Sequence, residues 1–235
     1  MNKFIRLAIG YLLPFSTRRW LAQARLARGV PGLLGRICAG GLQASISSKA
    51  SARMWRQVQV GRESIVDAGV YFHTNDNCNV VRVRIDRNCF IGRNCYFSAG
   101  ESIHISSYCN VGAACNLLAA GHEYDIPTIP YSVAPVVSYG HMKLGTNTWI
   151  GSGSTLVGNI CIGYGSIVAA GSLLRRSLPP LCLAAGTPAV PIKLYDWHSR
   201  RWIRLPQEGA ELDIALAKHL ATIPTEAEYV RLLKI

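Results

Sequence analysis

From Leu144 onward an aliphatic residue recurs at every sixth position: Leu144, Ile150, Leu156, Ile162, Val168 and Leu174. A small residue often follows it (Gly145, Gly151, Gly163, Ala169), and four places after it stands a small or β-branched one (Thr148, Ser154, Ile160, Ser166, Ser172). A period of six fits neither the helical period nor the simple alternation of a strand. It fits one short strand and one bend. Stacked, such units make a prism whose aliphatic residues point at the axis, and each coil covers the edges of its neighbours. The spacing therefore predicts an all-β chain, a parallel β-helix.

The same register runs upstream. Ile85, Ile91 and Phe97 form one block, with Cys89 and Cys95 at the fifth position, and Ile105, Val111 and Leu117 form another, with Cys109 and Cys115 there. Val60 and Val66 make a weaker block. The chain has 8 Cys, but no Cys-x-x-Cys, so the spacing speaks against a zinc site or a disulfide framework. Four of the thiols occupy the inward slot that Ser and Thr fill elsewhere, where a free Cys behaves as a small hydrophobe. Reduced thiols suit the cytoplasm. A chain that is 49% hydrophobic and 16% charged is not disordered.

Between Leu117 and Leu144 the hexads stop. Three prolines and Gly121 in 119–135 predict an ordered loop thrown out from the prism. His122 stands where the coil leaves register, and a His on a rigid stem can serve as a general base. The alternative is a loop His without a role. Asp125 either orients an acceptor or caps the turn. His104 and His141 flank His122 at nearly equal separations along the chain. Three stacked His would suggest a metal, yet the β-helical carbonic anhydrases that bind zinc in this way carry a close His pair that is missing here. No metal is expected.

The Ile-Gly-x-x-x-x repeats, Ala169-Ala170-Gly171-Ser172, Pro179-Pro180 and Ala185-Gly186-Thr187-Pro188-Ala189 resemble the left-handed β-helix, or hexapeptide-repeat, acyltransferases. The likeness is greatest to the galactoside, maltose and xenobiotic acetyltransferases and the polysaccharide O-acetyltransferases. It spans residues 45–193. It implies coils of three hexads, about eight coils in all, and a homotrimer with active sites between subunits. Gly121-His122-Glu123-Tyr124-Asp125 matches the family's Gly-His-x-x-Asp turn, which makes His122 the catalytic base, with Asp125 in contact with the acceptor. By the same resemblance Trp149 lines the pantetheine channel of acetyl-CoA, the acyl donor. Ser152, Ala170 and Arg175 fall on cofactor-contacting positions. Arg175, Arg176 and Lys193 form a basic patch for the phosphates of coenzyme A, or else an ordinary solvated surface. Two departures matter. The coil before the loop reads Tyr96-Phe97-Ser98-Ala99-Gly100-Glu101, without the family's Asn and Asp, so galactoside or maltose is not assigned as acceptor. The family's Arg after the catalytic turn is also missing.

Charge divides the chain. Of the formal +12, +11 falls within Met1–Arg62, with no acid before Glu63, and only +1 is left for everything after it. This argues against a nucleic-acid groove along the body and for a local anionic partner at the N-terminus. Residues 1–43 read as a basic helical extension. Lys3 and Arg6 before an apolar run imitate a signal peptide, but Arg18 and Arg19 intervene before the small-residue site. Residues 1–30 read either as an amphipathic helix on the inner face of the cytoplasmic membrane or as a helix packed on the body. Residues 44–193 form the β-helix and 194–235 a helical tail, with a helix near 209–222 and a Thr225–Glu228 capping box. The function this predicts is acetyl-CoA-dependent O-acetylation of a sugar hydroxyl, in a surface polysaccharide or its lipid-linked precursor, by a cytoplasmic or peripheral membrane enzyme. The alternatives are acetylation of a small acceptor (amino sugar, serine or antibiotic) and a non-catalytic scaffold.

Overall fold

The structure is a computed structural model that describes residues 44–74, 79–206 and 210–233. The basic extension, and with it the membrane-contact segment 1–30, lies outside the described residues.

Three parallel sheets wrap one axis as a left-handed β-helix. The first face stacks Ser45–Ile46, Ile65–Val66, Phe90–Ile91, Asn110–Val111, Trp149–Ile150, Ile167–Val168 and Cys182–Gly186. The second stacks Ser51–Ala52, Tyr71–Thr74, Tyr96–Ala99, Asn116–Leu118, Thr155–Val157 and Leu173–Leu174. The third stacks Val58–Val60, Val83–Ile85, Ser102–Ile105, His141–Leu144 and Ile160–Ile162, with a last bridge from Ile162 to Leu178. The aliphatic hexad positions are the axis: Ile91, Val111, Ile150, Phe97, Leu117, Leu156, Leu144 and Ile162 are all 0% exposed, as is Ile105.

Among the described residues the strands close six complete coils rather than about eight. The missing residues are taken up at one edge. Along the third face Val60, Ile85, Ile105, Leu144 and Ile162 are successive register partners. Only the step from Leu144 to Ile162 is three hexads long; the three earlier steps are all longer, the one from Ile105 to Leu144 most of all. Every extra residue falls between the second face and the third. The other two turns keep single-hexad steps throughout, so the rungs stay in register.

The first-to-second edge consists of tight turns packed coil on coil. A Cβ on Gly151 would stand 2.3 Å from the Ala170 nitrogen, and one on Gly112 2.6 Å from that of Ser152. The inward slot at the fifth hexad position has a second use. There Ser64, Ser154 and Ser166 donate their hydroxyls to carbonyls of the next coil, and Cys89, Cys95, Cys109 and Cys115 donate their thiols to the carbonyls of Ser106, Gly112, Gly145 and Gly151. Cys is thus a hydrogen-bonding equivalent of Ser in this slot.

After Gly186 the chain reverses. Ala189–Asp196 and Arg201–Arg204 add antiparallel to the first face, so the expected boundary at 193 falls inside a strand. Two helices follow, α1 (Ala210–Thr222) and α2 (Glu226–Leu232). They cover the third-to-first edge. There Tyr229 receives a hydrogen bond from Asn147, His219 Nε2 donates to the Pro180 carbonyl, and the Tyr164 hydroxyl donates to that of Pro224. No described helix is long and apolar enough to cross a membrane.

Candidate active site

The large insert leaves the prism after Asn116–Leu118 as an antiparallel ribbon, Ala120–His122 against Val136–Ser138. Two glycines permit this. A Cβ on Gly121 would collide with the Tyr139 hydroxyl at 1.9 Å, and one on Gly100, in the coil beneath, would meet the Ala119 carbonyl oxygen at 2.1 Å. The ribbon therefore lies directly on the coil that precedes it.

His122 is exposed at the end of this ribbon. Its Nδ1 lies 3.0 Å from the carbonyl oxygen of Ala134, across the loop. A carbonyl only accepts, so Nδ1 carries the proton and donates. The Nε2 lone pair is left facing outward, in the tautomer a general base requires. The loop thus fixes the tautomer of its own histidine. Capping of the turn falls to Glu123, whose Oε1 accepts from the backbone N–H of Tyr124 at 2.8 Å and of Asp125 at 3.0 Å. The Asp125 carboxylate is exposed, makes no hydrogen bond or ion pair among the described residues, and follows His122 by three residues.

His104 and His141 are each held by a carboxylate and not by one another. His104 Nε2 meets Asp86 at 2.9 Å, and His141 Nε2 meets Glu101 at 2.7 Å. In register His104 pairs with Lys143 and His141 with Ser102, so the three-His column does not form. Among the described residues no group of three or more His, Cys, Asp or Glu is placed to hold a metal ion.

Trp149 projects from the first face, 52% exposed. Its register partners continue upward through Ile167, Leu183, Lys193 and Arg204. At about 4.8 Å between strands, Lys193 lies about 14 Å and Arg204 about 19 Å beyond Trp149. An apolar column therefore ends in two cations beside a groove of about 490 Å³, which Val190, Pro191 and Pro206 also line. Ser152 and Ala170 are exposed on successive coils of the first-to-second edge, next to this column, and Gly171 N donates to Ser152 O at 2.9 Å. The sequence reading missed Arg204. The only signal for it was the alternation in Arg201-Trp202-Ile203-Arg204, in a stretch read as helical tail. Arg175 lies elsewhere, on the second-to-third edge that also bears His122, two coils further along. One chain thus divides the expected residues. Trp149, Ser152, Ala170 and Lys193 share one side, and His122, Asp125 and Arg175 share another.

The hexapeptide repeat of succinyl-transferase matches residues 82–117 and 142–176. Chloramphenicol acetyltransferase of Klebsiella aerogenes is 26% identical over 151 residues, covering 58% of this chain and 67% of that protein. The chain thus carries the hexapeptide repeat and is similar to known acyltransferases. The Escherichia coli chloramphenicol acetyltransferase is 24% identical over 151 residues, with the same shares covered. Among solved structures, the N-acyltransferase AntD of Bacillus cereus, in complex with dTDP and 3-hydroxybutyryl-CoA, superposes on this chain with a TM-score of 0.56. It is 21% identical, over 78% of this chain and 90% of AntD, which establishes a shared fold.

Proposed function

We propose that the protein is an acyltransferase that uses acetyl-coenzyme A to acetylate a sugar hydroxyl of a surface polysaccharide or its lipid-linked precursor, with His122 as general base. The observation that carries this reading is the Nδ1–H bond from His122 to Ala134, which holds the Nε2 lone pair outward. Acetyl-coenzyme A supplies the acyl group as a thioester. His122 Nε2 takes the proton of the acceptor hydroxyl as its oxygen forms the new ester bond, and the same nitrogen returns a proton to the sulfur as the carbon–sulfur bond breaks. Asp125, free of other duties, orients the acceptor. The column Trp149–Ile167–Leu183 suits the pantetheine arm. Lys193 and Arg204 suit the phosphates beyond it, and each charge-assisted bond there is stronger than a neutral one.

His122 and this column lie on different sides of one prism. A neighbour must therefore bring the second half of each site, and three copies around an axis give three such sites. The eleven basic residues before Glu63 support reversible contact with the anionic inner face of the cytoplasmic membrane, where a lipid-linked acceptor is reached. The match to chloramphenicol acetyltransferases supports a second reading, in which the acceptor is a small molecule. Mass spectrometry of the surface glycan, with and without the protein, separates the two.

The test of the chemistry is His122→Ala. Turnover should fall about 10²–10⁴-fold, the usual range for general-base catalysis, while coenzyme A affinity is retained. Unchanged turnover removes His122 from its role.

A further inference from the structure

The outer side of the second face carries a cluster that the chemistry above does not use. Tyr71 and His73 project from one coil and Tyr96 from the next, with Tyr71 and Tyr96 direct cross-strand partners. Their ring centroids are 5.9 Å apart, and Tyr71 stacks on His73 at 6.1 Å with 17° between the planes. Arg53 Nη1 lies 3.3 Å from His73 Nε2, and His73 Nδ1 lies 3.0 Å from the Tyr96 hydroxyl. A guanidinium only donates, so Nε2 accepts, and Nδ1 must carry the proton and donate to the Tyr96 oxygen. The Tyr96 hydroxyl proton is not consumed by that bond.

The chain of bonds is fixed in its neutral form. Burial first, then the Arg53 charge, holds His73 below its ordinary value. Burial first, then Tyr71, pushes Tyr96 above its own. The surface thus presents two half-buried rings and a neutral hydroxyl, which also meets the Ser98 side chain. It also adjoins the site, because the ribbon Ala120–His122 packs on the strand Tyr96–Ala99 that bears Tyr96.

We propose that Tyr71, His73 and Tyr96 are the acceptor platform of the His122 site. A pyranose ring lies on the two tyrosines, and the Tyr96 hydroxyl donates to one of its oxygens. The proposal deepens the sugar-acceptor reading and rests on it. Ring faces carry partial negative charge, which suits the C–H face of a sugar, and a phenol held neutral suits an uncharged acceptor. Arg53 and His73 are positioning residues that turn the Tyr96 donor outward. The opposing view is a purely structural cross-strand ladder.

Saturation-transfer NMR on the full-length protein, with methyl α-glucopyranoside, methyl β-galactopyranoside and the methyl glycoside of N-acetylglucosamine as probes, decides between them. At least one probe should bind. Tyr71→Ala should weaken it about fivefold or more. Tyr96→Phe, which keeps the ring and hence the packing, should weaken it about three- to tenfold. Coenzyme A binding, followed by calorimetry in the same samples, should be unaltered in both variants. No binding by any probe, or equal binding in both variants, overturns the platform. The outcome is independent of the base assignment, because glycoside binding is read without turnover, whereas His122→Ala is read in turnover.

Discussion

The coils between Leu144 and Leu174 and those between Val60 and Leu144 obey one packing rule but differ in what they carry. In the first set each turn takes three hexads, and all its corners are tight. In the second, inserts enlarge the turns, always at the edge between the second and third faces. The reason is mechanical. Corner residues lie outside the apolar column, so an insert at one corner leaves the rungs on all three faces paired. The regular coils supply stiffness, and the permissive edge supplies a place to mount His122, whose own loop then selects its tautomer.

The comparison is most directly broken by measuring stability in each set. Leu156 is 0% exposed on a regular rung, whereas Val80, beside the first insert, is 57% exposed. Leu156→Ala should cost about 2–5 kcal/mol, since close-packed neighbours cannot fill the void. Val80→Ala should change stability by less than about 0.5 kcal/mol. Denaturant titration of the two variants reads the difference. Equal losses would mean that the edge is as tightly integrated as the axis.

The next effect separates the two sides of the prism in function. Lys193→Ala and Arg204→Ala should each raise the KM for acetyl-coenzyme A about tenfold, the effect expected from removing a hydrogen bond between charged groups. Saturated turnover should be nearly unchanged, in contrast to His122→Ala, which lowers kcat. Dephospho-coenzyme A as product inhibitor should discriminate less between variant and parent than coenzyme A does. If Arg204→Ala leaves KM unaltered, the column from Trp149 does not lead to the phosphates.

The prism was legible in the sequence because its packing is periodic. Six-residue spacing names the inward residues, and Cys89, Cys95, Cys109 and Cys115 fall in the slot that spacing assigns. The break at 117–144 located His122 for the same reason. The tautomer of His122 was not legible, because it depends on the Ala134 carbonyl, brought back from further along the chain by a loop that has no period. Nor was it legible that Glu123, and not Asp125, caps the turn, since either carboxylate suits one. Arg204 was hidden because the chain reverses after Gly186, and the hexad register gives no guidance on antiparallel strands. The coil count was overestimated because inserts at an edge are indistinguishable by length from additional rungs.

The smallest effect concerns the edge opposite in character to the one that bears His122, where α2 seals the regular coils. Thr225 and Glu228 form a reciprocal cap: Glu228 N donates to the Thr225 hydroxyl at 3.3 Å, and Thr225 N donates to the Glu228 carboxylate at 2.8 Å. That backbone N–H first, then the Thr225 hydroxyl, holds Glu228 below its ordinary value of 4.5. A carboxyl depressed in the folded state stabilises the fold above its unfolded value, and the contribution is lost as pH falls through the folded value. The cap therefore works fully above about pH 4.5 and fails in more acid solution. Thr225→Ala should cost about 1 kcal/mol near neutrality. It should also flatten the acid limb of the stability curve below that pH, because Glu228 then titrates more alike in both states. Turnover should survive, since α2 contacts Asn147 and Tyr164 and not the His122 ribbon. Thermal melts of parent and variant between pH 3 and pH 7 read the effect. An acid limb as steep in the variant as in the parent would assign the pH dependence to other carboxylates, and a parallel loss of turnover would mean that the regular edge, too, takes part in building the site.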